Sequence, residues 1–359
     1  MIGGISMLGS MLQNSWQIQS MQTQMNQITT EIASGRKTDP LGPLGGNAAL
    51  LYQLHAQSDQ QTALQTTVTN ALGRLDATQT ALSAVGTAVQ SIVNDALTPD
   101  SSNGQGQSVL ANEAQNSMAQ VISQLNTQYE GSSLFAGDNT NTAPMQAADA
   151  AGGPLATVNS VLAAAVSAKG GPLTASDISG FISGPNGLAS VFNDTNSNPA
   201  LNYTGSFYTA PDDGRPTTVL IGATQTLQYN VNGKQQGFRD LMQGLSMLTM
   251  LGAPSSQLDD SAKAALQTQA SSLIGQAQNE LTTQQGLLGV TQATLQNVAD
   301  QQQAAANATQ NQILGFEQAD TTADATTLST LQTQLQATYA ITAEISQLTL
   351  THYLPTLTS

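Results

Sequence analysis

Apolar residues recur with a period of seven in the first 34 residues of the chain. They form two rows on one side of a helix, with Met11, Ile18, Met25 and Ile32 in the first row and Met21 and Ile28 in the second. This spacing is typical of an amphipathic helix that packs lengthwise against another helix. The pattern therefore predicts a first helix that ends at about residue 34.

The heptad pattern resumes in a different frame after a break that is rich in glycine and proline. It predicts a long helix over about 47–97. Apolar residues on one side, followed by glycines, predict a further helix over about 105–130. Towards the carboxyl end, apolar residues seven apart in 274–295 predict another helix, with an expected weak point at Gly315. A last helix is predicted over about 323–353, with the apolar residues Leu328, Leu331, Leu335, Ile341, Ile345 and Leu348.

The segment 146–234 differs from both ends, because it contains half of the chain's prolines. Within it, TTVLIG at 217–222 and TLQYNVNG at 226–233 predict a β-hairpin, since apolar and polar residues alternate there. The predicted fold class is mainly α: a long, coiled-coil-like helical rod formed by both termini, with an inserted β-rich middle domain. The predicted domains are 1–40 plus 315–359 (terminal helical assembly), 41–145 plus 235–314 (helical rod) and 146–234 (β-rich outer domain).

The break between the first two predicted helices has the sequence EIASGRKTDPLGP, residues 31–43. Gly35 and Pro40 disfavour a continuous helix, by about 1 and 3 kcal/mol relative to alanine. Arg36 and Lys37 are the only adjacent basic pair in the chain. They either face the negative end of the first helix or contact acidic groups of a neighbouring subunit. The residues Gly35, Arg36, Lys37 and Pro40 are predicted to form a joint between the assembly domain and the rod.

The apolar stripe of the first helix needs a partner, because a single helix leaves such a stripe exposed. Two interpretations are open. The stripe packs against the last helix of the same chain, or it packs against other copies of the chain and becomes ordered on polymerisation. The predicted assembly interface contains Met11, Ile18, Met21, Met25, Ile28, Ile32, Leu331, Leu335, Ile341, Ile345 and Leu348.

Composition narrows the range of functions. Charged residues make up 9% of the chain, and the net charge is −15 with only 8 Lys and Arg. Nucleic-acid binding requires a basic patch and is therefore disfavoured. The chain has no cysteine, which excludes disulfides and thiolate ligands. No stretch has the length and apolarity of a membrane span, and the amino terminus does not resemble a cleaved signal peptide.

Candidate catalytic or metal-binding residues are sparse. The two histidines, His55 and His352, lack carboxylates at ligand spacing. The acidic pairs at 212–213 and 259–260 do not belong to a calcium-loop sequence. We therefore predict no enzyme activity, no cofactor and no metal.

Four segments, spread over nearly the whole chain, carry motifs of a known family. They are EIASGRKTDP, EGSSLFAGDNTNTAPM, NYTGSFYTAPDDGRPTTVLIGATQTLQYNVNGKQQGFRDLMQGL and LQATYAITAEISQLTLTHYL. In this order and placement they resemble segments of the flagellin-like family. The resemblance is closest to the hook–filament junction proteins of that family (hook-associated protein 3), through the second, third and fourth segments.

The resemblance implies that helices from both ends pair in an inner domain and that the middle forms an outward domain. It also implies a structural adaptor of the bacterial flagellum, which polymerises at the hook–filament junction, templates flagellin assembly and is exported without a cleaved signal peptide. The implied partners are copies of the same chain, flagellin, a neighbouring hook-associated protein and a flagellar export chaperone. Two alternatives stay open: a flagellin filament subunit, and a surface adhesion module displayed on a flagellin-like anchor.

Overall fold

The chain is mainly α-helical in a computed structural model that describes residues 3–40, 47–96, 104–137, 141–211 and 215–353. It divides into two compact units. The terminal unit consists of Met1–Thr62 with Gln303–Ser359, and the central unit consists of Ala63–Gln302. The division into three domains that the sequence predicts stays a prediction.

The described residues contain long helices near both ends and shorter elements between them. The helices are α1 (Gly3–Ser34), α2 (Ala48–Ala96), α3 (Gly104–Leu125), α4 (Pro154–Lys169), α5 (Ala175–Ser183), α6 (Leu188–Phe192), α7 (Tyr203–Ser206), α8 (Gln236–Thr249), α9 (Asp260–Glu317) and α10 (Thr321–Tyr353). The strands are β1 (Gln128–Tyr129), β2 (Ser132–Ser133), β3 (Thr217–Leu220) and β4 (Thr226–Tyr229). Gly315 lies inside α9, which ends two residues later, so the break between the last two helices falls just after the weak point that the sequence predicts.

In the terminal unit, α1 and α10 pack against each other in antiparallel orientation. The Gly35 carbonyl accepts a 3.1 Å hydrogen bond from the Ala319 N–H, just before α10 begins. Further along both helices, the Gln22 side chain donates a 3.0 Å hydrogen bond to the Tyr339 hydroxyl. The prediction that the N- and C-terminal helices pack together is therefore confirmed. The start of α2 and the end of α9 add a small apolar cluster of Leu51, Leu54, Ile313 and Phe316.

The central unit is built around one continuous hydrophobic core. Residues of α2, α3, α8 and α9 contribute to this core, and so do residues of the middle segment such as Phe192 and Tyr203. Helix α8 lies deep within it, since every residue from Leu241 to Thr249 is buried. A Cβ at Gly244 would lie 2.4 Å from Ile274 Cγ1, so the glycine permits the close approach of α8 and α9.

The middle segment, 146–234, contains more helix than strand in its described part. Strands β3 and β4 form an antiparallel hairpin that pairs Thr217 with Tyr229 and Leu220 with Thr226. The predicted hairpin is thus present. Helices α4 to α7 nevertheless account for more residues than the two strands, so the segment is not clearly β-rich, which corrects the sequence prediction.

Local signals explain two of these helices. Pro154 occupies the first turn of α4, where a missing N–H costs no helical hydrogen bond. Thr174 precedes α5 and forms a capping box with Asp177. The Thr174 side chain accepts a hydrogen bond from the Asp177 N–H, and the Asp177 side chain accepts one from the Thr174 N–H. Both signals are short, and in the sequence they are less conspicuous than the alternating pattern of the hairpin.

The Asp177 carboxylate holds the start of α5. It accepts hydrogen bonds of 2.8 and 2.7 Å from the N–H and the hydroxyl of Thr174, and it contacts the Lys169 ammonium. The hydrogen bond from Lys169, followed by those from Thr174, lowers the pKa of Asp177 to about 2. Because the folded state favours the charged form, this contribution to stability is present above the ordinary pKa of about 3.9. It is lost as the pH falls through about 2.

We expect Asp177→Asn to loosen the first turn of α5, because a neutral amide replaces a charged acceptor that holds two donors of Thr174. Hydrogen exchange at pH 7 should show lower protection of the α5 amides in this variant than in the wild type. The control Asp149→Asn removes an exposed carboxylate of the same unit and should leave α5 unchanged. Equal protection of α5 in Asp177→Asn and the wild type would contradict the assignment of the cap.

Candidate functional site

The apolar stripe of α1 is only half-buried within a single chain. Its residues recur at intervals of three and four: Ile18, Met21, Met25, Ile28 and Ile32. Along α10, the less exposed side chains follow the same spacing: Leu328, Leu331, Leu335, Thr338 and Thr342. Met21 of α1 and Thr338 of α10 line one groove between the two helices. Pairing of α1 with α10 therefore covers part of the stripe and leaves part of it in contact with solvent.

The predicted interface residues of α10 do not all belong to this row. Leu331 is buried, with 8% exposure, and Leu335 is half-buried. Ile341 lies off the row and is 54% exposed. A role for any of these residues in assembly stays a prediction. Three of the predicted side chains lie outside the described residues: Met11, Ile345 and Leu348.

Large apolar side chains are also exposed elsewhere on α1 and α10. Trp16 is 72% exposed, and Leu12, one turn before it, is 56% exposed. On α10, Tyr339 is 47% exposed. A single exposed apolar residue is common. Several of them beside a half-buried stripe indicate a surface that contacts another protein.

These two helices carry almost no charge. Glu31 is the only charged residue within Gly3–Ser34, and Asp324 and Glu344 are the only acidic residues within Thr321–Tyr353. Many threonine hydroxyls donate to the carbonyl four residues earlier, as at Thr23 and Thr330, and these hydroxyls therefore need no partner from another chain. A neighbouring protein would meet a surface that offers apolar contact and few ion-pair partners.

Helix α1 ends at the predicted joint, where the chain runs beside the segment that connects α9 to α10. Gly35 has a φ of +67°, and its N–H donates a 2.8 Å hydrogen bond to the carbonyl four residues earlier. This left-handed conformation ends the helix and favours glycine. Arg36 then pairs with Gln318 in an antiparallel bridge, and the Lys37 N–H donates a 2.8 Å hydrogen bond to the Glu317 carbonyl.

The basic pair of the joint contacts the end of α9. The Lys37 ammonium donates a 3.1 Å hydrogen bond to the Phe316 carbonyl, and Arg36 Nη1 lies 3.7 Å from Glu317 Oε2. Carbonyls at the C-terminal end of a helix carry partial negative charge, so both cations are favourably placed. Within one chain, their partner is thus the end of α9 rather than the end of α1. A contact with acidic groups of a neighbouring subunit stays a prediction.

Sequence reasoning missed three further contacts of the joint. His55 Nε2 lies 2.8 Å from Glu317 Oε1, although 262 residues separate the two in the chain. Glu31 Oε1 accepts hydrogen bonds of 2.8 and 2.7 Å from the N–H and the hydroxyl of Thr38. The contact of Glu31 with Thr38 is local and follows from the chain reversal. The contact of His55 with Glu317 depends on how α2 and α9 pack in the folded chain. Pro40, the remaining predicted joint residue, is half-buried and lies outside any helix.

Motif segments that are distant in the sequence meet in the core of the central unit. Phe135, from the Leu-Phe-Ala-Gly motif, packs edge-to-face against Phe238 with ring centroids 5.8 Å apart. The Phe135 carbonyl accepts a 2.9 Å hydrogen bond from the Gly233 N–H, and the Tyr203 hydroxyl donates a 2.7 Å hydrogen bond to the Gly233 carbonyl. A Cβ at residue 233 would lie 3.1 Å from the Tyr208 ring, so a glycine fits this turn. These motifs are therefore parts of one packing arrangement.

Arg239 secures the same region of the central unit. Its guanidinium lies 2.8 Å from the Asp194 carboxylate and 4.7 Å from the centre of the Tyr203 ring, and its Nε donates a 2.7 Å hydrogen bond to the Lys234 carbonyl. Burial raises the pKa of the Tyr203 hydroxyl, which keeps this group neutral and able to donate. The arrangement holds the turn at Gly233 in place.

The described part of the chain shows no cluster of three or more His, Asp or Glu side chains that could hold a metal ion. Asp259 caps α9 instead, since its carboxylate accepts a 2.7 Å hydrogen bond from the Ala262 N–H. Asp212, Asp213 and the side chain of His352 lie outside the described residues. None of the described helices is long and apolar enough to cross a membrane.

Comparison with known proteins finds a matching protein family at each end of the chain. Residues 5–140 match the bacterial flagellin N-terminal helical region, and residues 271–354 match the bacterial flagellin C-terminal helical region. A solved structure, of a candidate flagellar hook-associated protein from Vibrio parahaemolyticus, shows 14% sequence identity and a TM-score of 0.41 over 72% of this chain and 96% of that chain. No curated protein matches the sequence at a significant level.

We expect Gly35→Ala to destabilise the end of α1 by about 1 kcal/mol, because alanine must adopt the left-handed conformation of residue 35. No atom lies within 4 Å of an added Cβ, so the cost comes from the backbone alone. Gly35→Asn should cost less, since asparagine tolerates this conformation better. Hydrogen exchange of the Lys37 and Ala319 amides measures the effect, and equal protection in Gly35→Ala and the wild type would exclude it.

Proposed function

Because the chain belongs to the flagellin family, we propose that it is a polymerising subunit of the bacterial flagellum and acts as the adaptor at the hook–filament junction. The two matched regions together cover more than half of the chain. Flagellins are structural proteins, so the chain is a structural component of the flagellum and not an enzyme.

The partial exposure of the apolar stripe on α1 is the observation that most strongly supports polymerisation. Ile18, Met21 and Ile28 remain partly exposed in the single chain, and Trp16 is exposed over most of its surface. Full burial of such a side chain contributes about 1.5–3 kcal/mol before the costs of association. A side chain that is already half-buried gains less than this, and the gain is repeated at every contact around a ring or along a helix of subunits.

The location at the hook–filament junction is supported by the motifs. Phe135 of the Leu-Phe-Ala-Gly segment contacts Phe238 and the turn at Gly233, both of which belong to the third motif segment. Two segments that resemble junction proteins and are distant in the sequence thus contribute to one buried arrangement. The full set of motifs then describes a packed structure rather than unrelated similarities, and this favours the junction over the filament.

The remaining features of the proposal follow from this assignment. Copies of the chain form a ring whose partners are a neighbouring hook-associated protein on one side and flagellin on the other. The chain reaches that position by flagellar export without a cleaved signal peptide, accompanied until export by a chaperone. We further propose that residues 1–40 and 315–359 act as the assembly domain, 41–145 and 235–314 as the rod, and 146–234 as the outward domain.

The experiment that tests this function is a deletion strain. Without the adaptor, hooks should still form, filaments should be absent, and flagellin should accumulate in the medium because it has no template. Expression of the wild-type chain from a plasmid is the control and should restore the filaments. Normal filaments in the deletion strain would rule out the role at the junction.

A second candidate, the filament subunit, is favoured by one observation: both matched regions are those of flagellin itself. The two roles differ in copy number and position. Labelled antibodies viewed by electron microscopy should mark a thin ring at the base of the filament for an adaptor. Labelling along the whole filament would favour the filament subunit.

We expect assembly of the purified chain to resist sodium chloride, because the interface proposed on α1 and α10 carries few charged groups. Gly3–Ser34 contains Glu31, and the acidic residues of Thr321–Tyr353 are Asp324 and Glu344. At about 1 M salt the Debye length is about 3 Å, which suppresses ion pairs but leaves apolar contacts intact. Sedimentation should therefore show as much polymer at high as at low salt, and sulfate should increase it. Dissociation by sodium chloride would contradict apolar assembly.

A further inference from the structure

The joint of the terminal unit contains a charge cluster centred on Glu317. Glu317 Oε1 lies 2.8 Å from His55 Nε2, and Glu317 Oε2 lies 3.7 Å from Arg36 Nη1. The Glu317 side chain is 12% exposed, whereas the side chains of His55 and Arg36 are 48% and 56% exposed. The cluster therefore connects the last residue of α9 to α2 and to the segment that follows α1.

A carboxylate is poorly suited to this position. Glu317 is the last residue of α9, and the C-terminal end of a helix already carries partial negative charge. The carboxylate is also largely shielded from water, and a shielded charge is favourable only beside a charged or hydrogen-bonding partner. Arg36 and Lys37 supply fixed positive charge. His55 supplies positive charge only when its imidazole is protonated.

We propose that His55 is a proton-dependent clasp for the joint. The imidazolium pairs with Glu317 and holds the end of α9 against α2 and the bridge at Arg36. The neutral imidazole donates to Glu317 only in the tautomer with the proton on Nε2, and it no longer offsets the negative charge at the end of the helix. The other charged groups of the joint and of the nearby part of α2 are Glu31, Arg36, Lys37, Asp39, Asp59 and Asp320.

The direction of the pH dependence follows from the charge. The protonated imidazole stabilises the closed joint, so its contribution is present while His55 carries the proton and is lost as the pH rises and the proton leaves. His55 is about half exposed, and solvent screens the pair. We therefore expect a change of about two- to fivefold in the opening of the joint. The joint should thus be tighter in mildly acidic than in alkaline medium.

Two backbone amides report directly on the joint. The Lys37 N–H donates to the Glu317 carbonyl, and the Ala319 N–H donates to the Gly35 carbonyl. Their hydrogen-exchange protection, corrected for intrinsic exchange at each pH, is measured on the full monomeric chain at about pH 5.5 and pH 8, on either side of the imidazole range. Because no polymer is required, the result does not depend on the proposed role at the hook–filament junction.

Three variants separate charge from packing. In the wild type, protection of the Lys37 and Ala319 amides should fall two- to fivefold from the lower to the higher pH. His55→Gln should give the lower protection at both pH values, and His55→Lys, which keeps a positive charge, should retain the higher protection at both. Gln57→Lys adds the same charge at another exposed position of α2 and should behave like the wild type.

Two results would overturn the proposal. The first is a wild-type protection that does not change with pH. The second is an equal loss in His55→Gln and His55→Lys, which would assign the effect to packing rather than to charge.

Discussion

Two paired helices bury only part of each other's surface, and this constraint shapes the unit formed by the two ends of the chain. Ile18, Met21 and Ile28 of α1 are half-buried after α1 has packed against α10, and no third helix from the described residues completes their burial. A chain with a net charge of −15 can nevertheless bring such surfaces together, because α1 and α10 hold very few of its charges. The terminal unit therefore combines incomplete apolar burial with little electrostatic repulsion, which is what a polymerising surface requires.

The joint is a place where the chain reverses and three helix ends lie close together. The backbone groups at these ends need hydrogen-bond partners. Gly35 ends α1, Lys37 satisfies a carbonyl at the end of α9, and Asp320 accepts from the first amides of α10. Each helix end thus receives a partner from a neighbouring segment, as helix termini need. Arg36 and Lys37 therefore stabilise the end of α9 within one chain, whatever further contacts they make in a polymer.

The sequence predicted the features that depend on local spacing. The heptad rows located α1, α2 and α9, and the alternation of Leu227 and Tyr229 with polar residues located the hairpin, because each pattern reflects a periodic backbone. Features that depend on tertiary contacts were not predictable. Along α10 the less exposed row continues through Thr338 and Thr342 rather than through the apolar Ile341, so hydrophobicity alone does not select the row. The pairing of His55 with Glu317 requires the register of two helices, which no local pattern encodes.

In the proposed assembly, the apolar surface of the terminal helices becomes buried. Trp16 tests it directly, because it is the only tryptophan of the chain and is 72% exposed in the single subunit. Quenching of its fluorescence by acrylamide should be compared between monomer and polymer of the wild-type chain. Strong quenching is expected in the monomer, and in the polymer a clear loss of quenching with emission at shorter wavelength. Equal quenching in both states would contradict the claim, because Trp16 and the surface around it would then remain in water after assembly.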